Sequence, residues 1–155
     1  MRRHFFLGAM SLILARRSKA QGRPSLAAER AWSRPALARI GTAVVYLTLR
    51  NEGAAPLRVV GGSTPVAESV EIHESLVENN VARMHPRAEG IVVPPDGTVR
   101  FEPNGLHLML MKPYADLKAG ESFSLTLRFD NGEALTVPVT VGVREPKAEH
   151  GGMHH

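Results

Sequence analysis

The sequence of 155 residues contains no cysteine. Without thiols the chain can form no disulfide, no thiolate metal site and no cysteine nucleophile. This absence excludes a blue-copper electron-transfer centre, which needs a Cys thiolate beside two His. The chain also carries no thiol that an oxidising compartment could modify, so its composition is compatible with export from the cytoplasm.

Acidic residues are absent from the first 20 positions, which hold five basic residues: Arg2, Arg3, Arg16, Arg17 and Lys19. The whole chain has 19 basic and 15 acidic residues and a pI near 10.0. Without those five, 14 basic residues face 15 acidic ones, for a net charge of −1. The basicity therefore belongs to the N-terminal segment, and we expect no binding to nucleic acid.

The N-terminal segment 1–20 is typical of a signal peptide. Its apolar run, Phe5 to Ala15, is shorter than the roughly 20 residues that span a bilayer. The start Arg2-Arg3 resembles a twin-arginine signal, and Ser18-Lys19-Ala20 is a plausible cleavage site. The alternative is an uncleaved amphipathic extension. We predict a periplasmic protein, exported by the twin-arginine or the Sec route, with a linker at 21–30.

Helical periodicity is also missing from the rest of the chain, which instead shows about eight short β-rich runs separated by Gly, Pro and Asn. This spacing predicts an all-β sandwich or barrel in residues 31–145, followed by a flexible tail at 146–155. Pro138 within the last run indicates an edge strand or a bulge. No nucleophile–base pair, triad spacing or phosphate-binding Gly loop stands out, so we do not expect an enzyme.

One run, Leu106-His107-Leu108-Met109-Leu110-Met111, alternates Leu with His or Met. In a strand the three Leu residues take one face, and His107, Met109 and Met111 take the other. A core His with Met as a flexible filler would explain this run by itself. Met111 lies about 6.8 Å beyond Met109 at strand rise, so we interpret it as a neighbour of any site rather than part of it.

A second His/Met pair lies upstream. If Asn79-Asn80 is a two-residue hairpin turn, His73 faces Pro86, and Met84 faces Ser75. His73 and Met84 are then diagonal neighbours on one face, within reach of a shared ligand. His85 points to the opposite face. Glu71 and Ser75 share the face of His73 and could each orient its second ring nitrogen.

The candidate metal ligands are therefore His73, Met84, His107 and Met109. Thioethers are soft ligands that favour Cu(I), imidazole accepts copper well, and no thiolate is present. These residue types indicate a Cu(I) site from which a stronger thiolate site could take the metal.

The spacing His73-x10-Met84-x22-His107-x-Met109 resembles the periplasmic copper-chaperone family PCuAC, whose pattern is H-(M)-x10-M-x21-H-x-M. The resemblance runs from Ala31 to Val143, through "AVVYLTLRNEG", "VEIHE", "ARMHP", "GLHLMLM" and "LKAGESFSLTLRF". Two features depart from the pattern: the second gap is one residue longer, and Glu74 replaces the optional Met after the first His.

The resemblance implies a cupredoxin-like Greek-key β-sandwich in which these four residues bind Cu(I). It also implies delivery of copper to the copper A centre in subunit II of cytochrome c oxidase, together with Sco-type proteins. We expect a monomer. A general periplasmic copper buffer or resistance protein without a dedicated acceptor is the alternative.

The tail "EHGGMHH" contains His150, Met153, His154 and His155. It resembles the His/Met-rich extensions of some family members, which hold a second copper as Cu(II). Short His-rich tracts bind metal in general. The tail is therefore a candidate accessory copper site; an inert tail is the alternative.

Overall fold

The computed structural model describes residues 25–147. The predicted signal peptide and the four His and Met residues of the tail lie outside this range. The described residues form ten strands and one 3-10 helix, Ala38–Ile40. The strands are β1 Leu26–Ser33, β2 Thr42–Asn51, β3 Leu57–Ser63, β4 Ala67–Glu78, β5 Val81–Pro86, β6 Ile91–Val93, β7 Thr98–Phe101, β8 Leu106–Pro113, β9 Ser122–Phe129 and β10 Ala134–Val141.

Seven of these strands close into a barrel. Backbone pairing runs in the order β4-β8-β2-β1-β10-β9-β3 and returns to β4 through the Gly62–Val70 pair. The other three strands lie outside this ring, with β5 paired to β4, β6 to β3 and β7 to β2. The all-β class predicted from the sequence is confirmed, with ten strands rather than about eight.

The core is built from alternate residues of the barrel strands. Strand β9 shows the pattern most clearly, because Phe123, Leu125, Leu127 and Phe129 are buried while the polar residues between them face outwards. Pairing on both sides of most barrel strands fixes their register, since a one-residue slip would turn every apolar side chain into water. The strands that carry the candidate ligands therefore rest on a rigid core.

The β4–β5 hairpin has the register predicted from the sequence. Glu78 pairs with Val81 across a two-residue turn, and Asn79 and Asn80 adopt positive φ angles of 50° and 62°. Asn tolerates this left-handed conformation, which two-residue hairpin turns require. Further along, Ser75 pairs with Met84, as predicted.

Strand β1 corrects the predicted domain boundary, because it begins at Leu26, inside the segment 21–30 assigned to a linker. The linker prediction is wrong for residues 26–30. Their sequence, Leu-Ala-Ala-Glu-Arg, has low intrinsic β propensity. Antiparallel pairing with β2 and burial of Leu26 hold the segment in the sheet. Strand β6 was also missed, because it has only three residues.

Pro138 lies in the body of β10, paired with Ser124 on β9. The other neighbour, β1, pairs with β10 only at Thr140 and Val141. The edge strand or bulge predicted from Pro138 is therefore wrong: β10 lies between β1 and β9, and its register with β9 is continuous. The proline is tolerated where β1 does not pair with β10. No helix in residues 25–147 is long and apolar enough to cross a bilayer.

Candidate metal centre

The four predicted ligands share one face of three adjacent strands. On β4, His73 pairs directly with His107 on β8, and Glu71 pairs with Met109. On the other side of β4, Met84 of β5 pairs with Ser75, two residues along from His73. Because facing residues of paired strands point to the same side, both Met side chains are diagonal neighbours of His73. The structure thus brings the four residues together around His73.

This face is the outer face of the barrel. Leu108 and Leu110, which flank Met109 on β8, belong to the enclosed core and are fully buried. Met109 is also buried, but it lies outside that core cluster, on the opposite side of its strand. The His and Met residues of β8 are therefore not fillers of the main core, which was the alternative explanation of this run.

The two imidazole rings are close enough to share one ion. Their centroids are 5.9 Å apart, and the ring planes meet at 67°. A bond from an imidazole nitrogen to zinc, for example, is about 2.0–2.1 Å long. A single ion between the rings is compatible with this separation.

Each ring uses one nitrogen to hold its orientation. His73 Nε2 lies 2.8 Å from a carboxylate oxygen of Glu71, and His107 Nδ1 lies 3.0 Å from the carbonyl oxygen of Gly105. An ionised carboxylate and a carbonyl can only accept, so both nitrogens carry the proton and donate it. The remaining nitrogens, His73 Nδ1 and His107 Nε2, are buried and have no hydrogen-bond partner within residues 25–147. Anchoring of one nitrogen with the other left free is typical of metal-binding His.

The protonation of His107 also suits a ligand. Burial lowers its pKa below the usual value for His, and the nearby His73 adds to the shift, while the hydrogen bond to Gly105 opposes it. The ring therefore stays neutral at neutral pH, and its Nε2 keeps a lone pair for a metal.

The ligand candidates differ in their access to solvent. His107 is 3% exposed and Met109 is 6% exposed, whereas Met84 is 50% exposed. Met84 lies on β5, whose one partner among the described strands is β4. Three of the candidates are therefore set into the surface of the barrel, and the fourth reaches them from its edge.

The neighbours of the site are placed as follows. Met111 lies on the same face as Met109 but two residues further along, paired with Ser69. His85 points to the opposite face, with Nε2 3.3 Å from Glu78. The second ring nitrogen of His73 is bound by Glu71, and Ser75 instead donates its backbone N–H to Gly105.

Sequence analysis missed Gly105, whose carbonyl oxygen accepts hydrogen bonds from both His107 Nδ1 and the Ser75 backbone. A backbone acceptor has no side-chain signature, so only the position of Gly105 two residues before His107 could have indicated it. The carbonyl links the β8 ligand to the β4 strand.

The family model LpqE-like, described as "Putative lipoprotein LpqE-like", matches residues 26–141. The match covers the whole barrel and all four candidate ligands. The chain belongs to the LpqE-like family.

Two relatives of this LpqE-like chain were compared. A protein of Leifsonia xyli subsp. xyli, also named as a lipoprotein, is 34% identical over 105 residues, which is 68% of this chain and 62% of the relative. The protein RP573 of Rickettsia prowazekii is 28% identical over 118 residues, which is 74% of this chain and 65% of the relative. The chain thus spans less than two thirds of the length of either relative.

The LpqE-like chain also resembles solved PCuAC domains. The apo PCuAC domain of PmoF1 superposes with a TM-score of 0.63 at 19% identity, over 77% of this chain and 95% of that domain. DR1885 of Deinococcus radiodurans, solved with Cu(I), has a TM-score of 0.58 at 30% identity, over 82% of this chain and 84% of that one. These likenesses confirm the cupredoxin-like fold and the PCuAC resemblance predicted from the sequence.

Within residues 25–147 of the LpqE-like chain, no three His, Asp or Glu side chains converge as a metal-binding group.

The two rings are expected to hold opposite tautomers in the metal-free protein. His73 should be protonated at Nε2 and His107 at Nδ1, because their hydrogen-bond partners can only accept. Long-range ¹H–¹⁵N correlation spectra of the apo protein at neutral pH distinguish the two forms by the nitrogen shifts. Glu71→Ala should release the tautomer of His73 while leaving His107 unchanged. The same tautomer on both rings would contradict the assignment of the free nitrogens.

Proposed function

We propose that this chain is a copper-binding chaperone that holds one Cu(I) through His73, Met84, His107 and Met109. The observation that carries the proposal is the pair of facing imidazoles, each with one anchored nitrogen and one buried nitrogen without a partner. An unpartnered buried polar atom is costly, and a metal ion would satisfy both nitrogens at once.

The donor set favours Cu(I) over other metals. Two neutral imidazoles and two thioethers bring no negative charge, which suits a monovalent soft cation better than a divalent one. Two similar structures support the proposal. The PCuAC domain of PmoF2, which is 22% identical to this chain, shares its fold and was solved with copper bound. DR1885 was solved with Cu(I), which supports the choice of this oxidation state.

A carrier must also release its metal. Without a thiolate, this ligand set can lose Cu(I) to a site that offers Cys ligands. We propose delivery in the periplasm to the copper A centre in subunit II of cytochrome c oxidase, with Sco-type proteins as further partners. The lipoprotein names of the family and of the Leifsonia relative, together with the N-terminal segment, support export.

The tail residues His150, Met153, His154 and His155 form a second, independent part of the proposal. Imidazole-rich segments bind Cu(II), and this tail holds three of the seven His of the chain. We propose that it takes up Cu(II) without contributing to the Cu(I) site.

The proposal is tested by anaerobic titration of the full chain with Cu(I) against a colorimetric chelator, and with Cu(II) in air. The wild type should bind one Cu(I) tightly. Deletion of residues 148–155 should leave the Cu(I) stoichiometry and affinity unchanged and remove Cu(II) binding, because the four barrel ligands remain. A wild type that fails to compete for Cu(I) would overturn the chaperone assignment; a deletion that changes neither metal would show that the tail is inert.

A further inference from the structure

The β4–β5 hairpin projects beyond the barrel next to the metal centre. Pairing of β4 with β8 ends at Glu74–Leu106, and the last link is the hydrogen bond from Ser75 N–H to Gly105. Residues 76–83 continue as a ribbon of two strands, with no further strand from residues 25–147 on either side. A two-stranded ribbon is marginally stable alone, so this one depends on the part of the hairpin that is joined to the barrel.

The two faces of the ribbon differ in charge. On the face shared with His73, the side chains are Ser75, Val77, Ala82 and Met84, and none is charged. Val77 is 75% exposed and Met84 50% exposed, so this apolar surface lies in water. We call these four residues the ribbon front.

The opposite face, which we call the ribbon back, carries ions. Its members are Glu74, Leu76, Glu78, Val81, Arg83 and His85. Glu78 lies between Arg83 and His85, at 3.9 Å and 3.3 Å. Both faces of a solvated ribbon would be expected to carry charge in this way, so the uncharged front requires another explanation.

Access to the metal explains why the ribbon front is uncharged. Of the four proposed ligands only Met84 is exposed, and it forms part of the ribbon front. An incoming ligand from another protein must enter the coordination sphere before the buried His107 and Met109 dissociate from the ion. The path past Met84 brings the acceptor protein against the front, whereas the back lies on the far side of the sheet.

We propose that the ribbon front is the surface on which a copper-accepting protein docks, and that Met84 is the first ligand to be displaced. The inference rests on the proposed function. The partner is a protein whose metal-accepting sulfur lies within an apolar surface. Such a contact buries Val77 and Ala82 without desolvating any charge of the ribbon front; Glu71, the charged residue further along this face of β4, is bound to His73. The interior of a protein interface excludes charged residues because their desolvation is costly. Water is thereby kept from the ion while its ligands exchange.

The ribbon offers a matched pair of substitutions. Val77 and Val81 are both exposed and lie on either side of the Asn79-Asn80 turn, but they point to opposite faces. Val77→Asp and Val81→Asp therefore place the same charge near the same turn, on opposite faces of the ribbon. Neither residue is a proposed ligand, so both variants should bind Cu(I) like the wild type in the chelator titration.

Transfer is measured by stopped flow from the Cu(I)-loaded full chain to the apo soluble copper A domain of cytochrome c oxidase subunit II. Val77→Asp should slow transfer by roughly tenfold or more, because its carboxylate would be buried unpaired in the docked complex. Val77→Lys should slow transfer to a similar extent, and the transfer rate of Val81→Asp should stay within about twofold of the wild-type rate. Equal rates for all variants, or equal slowing by Val77→Asp and Val81→Asp, would overturn the proposed surface.

A second measurement separates this inference from the choice of acceptor. Exchange of Cu(I) between a loaded copy and a ¹⁵N-labelled apo copy of the same chain also requires the ligands of two proteins to meet. If the wild type binds Cu(I) but does not load the copper A domain, the proposed acceptor is wrong, and the exchange rates of the same variants decide the docking surface. If the wild type binds no Cu(I), the proposed function fails, and the docking surface fails with it.

Discussion

Met109→Leu is expected to weaken Cu(I) binding by at least about a hundredfold while the protein stays folded. Met109 is 6% exposed and lies on the outer face of β8, two residues along from His107. Leucine has nearly the same volume, and such exchanges usually cost less than about 1.5 kcal/mol of stability. The thioether is lost, however, and removal of even the partners that orient metal ligands costs roughly 10- to 100-fold in affinity.

The measurement is the anaerobic chelator competition, with urea unfolding of the apo protein beside it. Met111→Leu is the matched control, because the same chemical change is made on the same face of the same strand, two residues further from His107. It should leave the affinity within about twofold of the wild type. Equal losses in the two variants would make Met111 a ligand, and no loss in Met109→Leu would remove Met109 from the proposed set.

The arrangement within each His/Met pair follows from local rules that a sequence contains. Alternation along β8 predicts that His107 and Met109 share a face, and two Asn residues predict the turn that fixes the register of Met84. Both features depend on side chains close in sequence. The pairing Ser75–Met84 is therefore predictable before any long-range contact is known.

Other features depend on long-range packing and were not predictable. The direct pairing of His73 with His107 arises because β4 and β8 are neighbours in the barrel, although 33 residues separate the two rings in sequence. The acceptor for His107 is a backbone carbonyl, which any residue could provide. Strand β1 was missed because its sequence has weak β propensity and is held by β2.

These observations assign separate tasks to the two faces of β8. The inner face holds Leu108 and Leu110 in the core, and the outer face presents His107 and Met109 to β4. A change on one face should therefore alter stability and a change on the other should alter metal binding. A strand whose two faces have different tasks would keep the proposed ligands in place whether or not metal is bound, since the core and not the metal fixes their positions.

Leu108→Ala tests the inner half of this division and should produce the largest loss of stability. Leu108 is fully buried between His107 and Met109, and its pair partners, Val45 and Ile72, belong to the same core. Truncation of a buried Leu to Ala costs about 2–5 kcal/mol, because apolar contacts are lost and a cavity remains. The urea midpoint of the apo protein should fall accordingly, with the m-value unchanged.

The variant should nevertheless bind Cu(I) within about threefold of the wild type, when both are measured under conditions where they are folded. Leu76→Ala is the control: the same truncation at a residue that is 41% exposed on the ribbon should change the free energy of unfolding by about 0.5 kcal/mol or less. Unequal costs of the two truncations with intact metal binding in both would support the division of tasks. If Leu108→Ala lost Cu(I) as completely as Met109→Leu while still folded, the outer face would depend on the packing of the inner one, and the two tasks would not be separable.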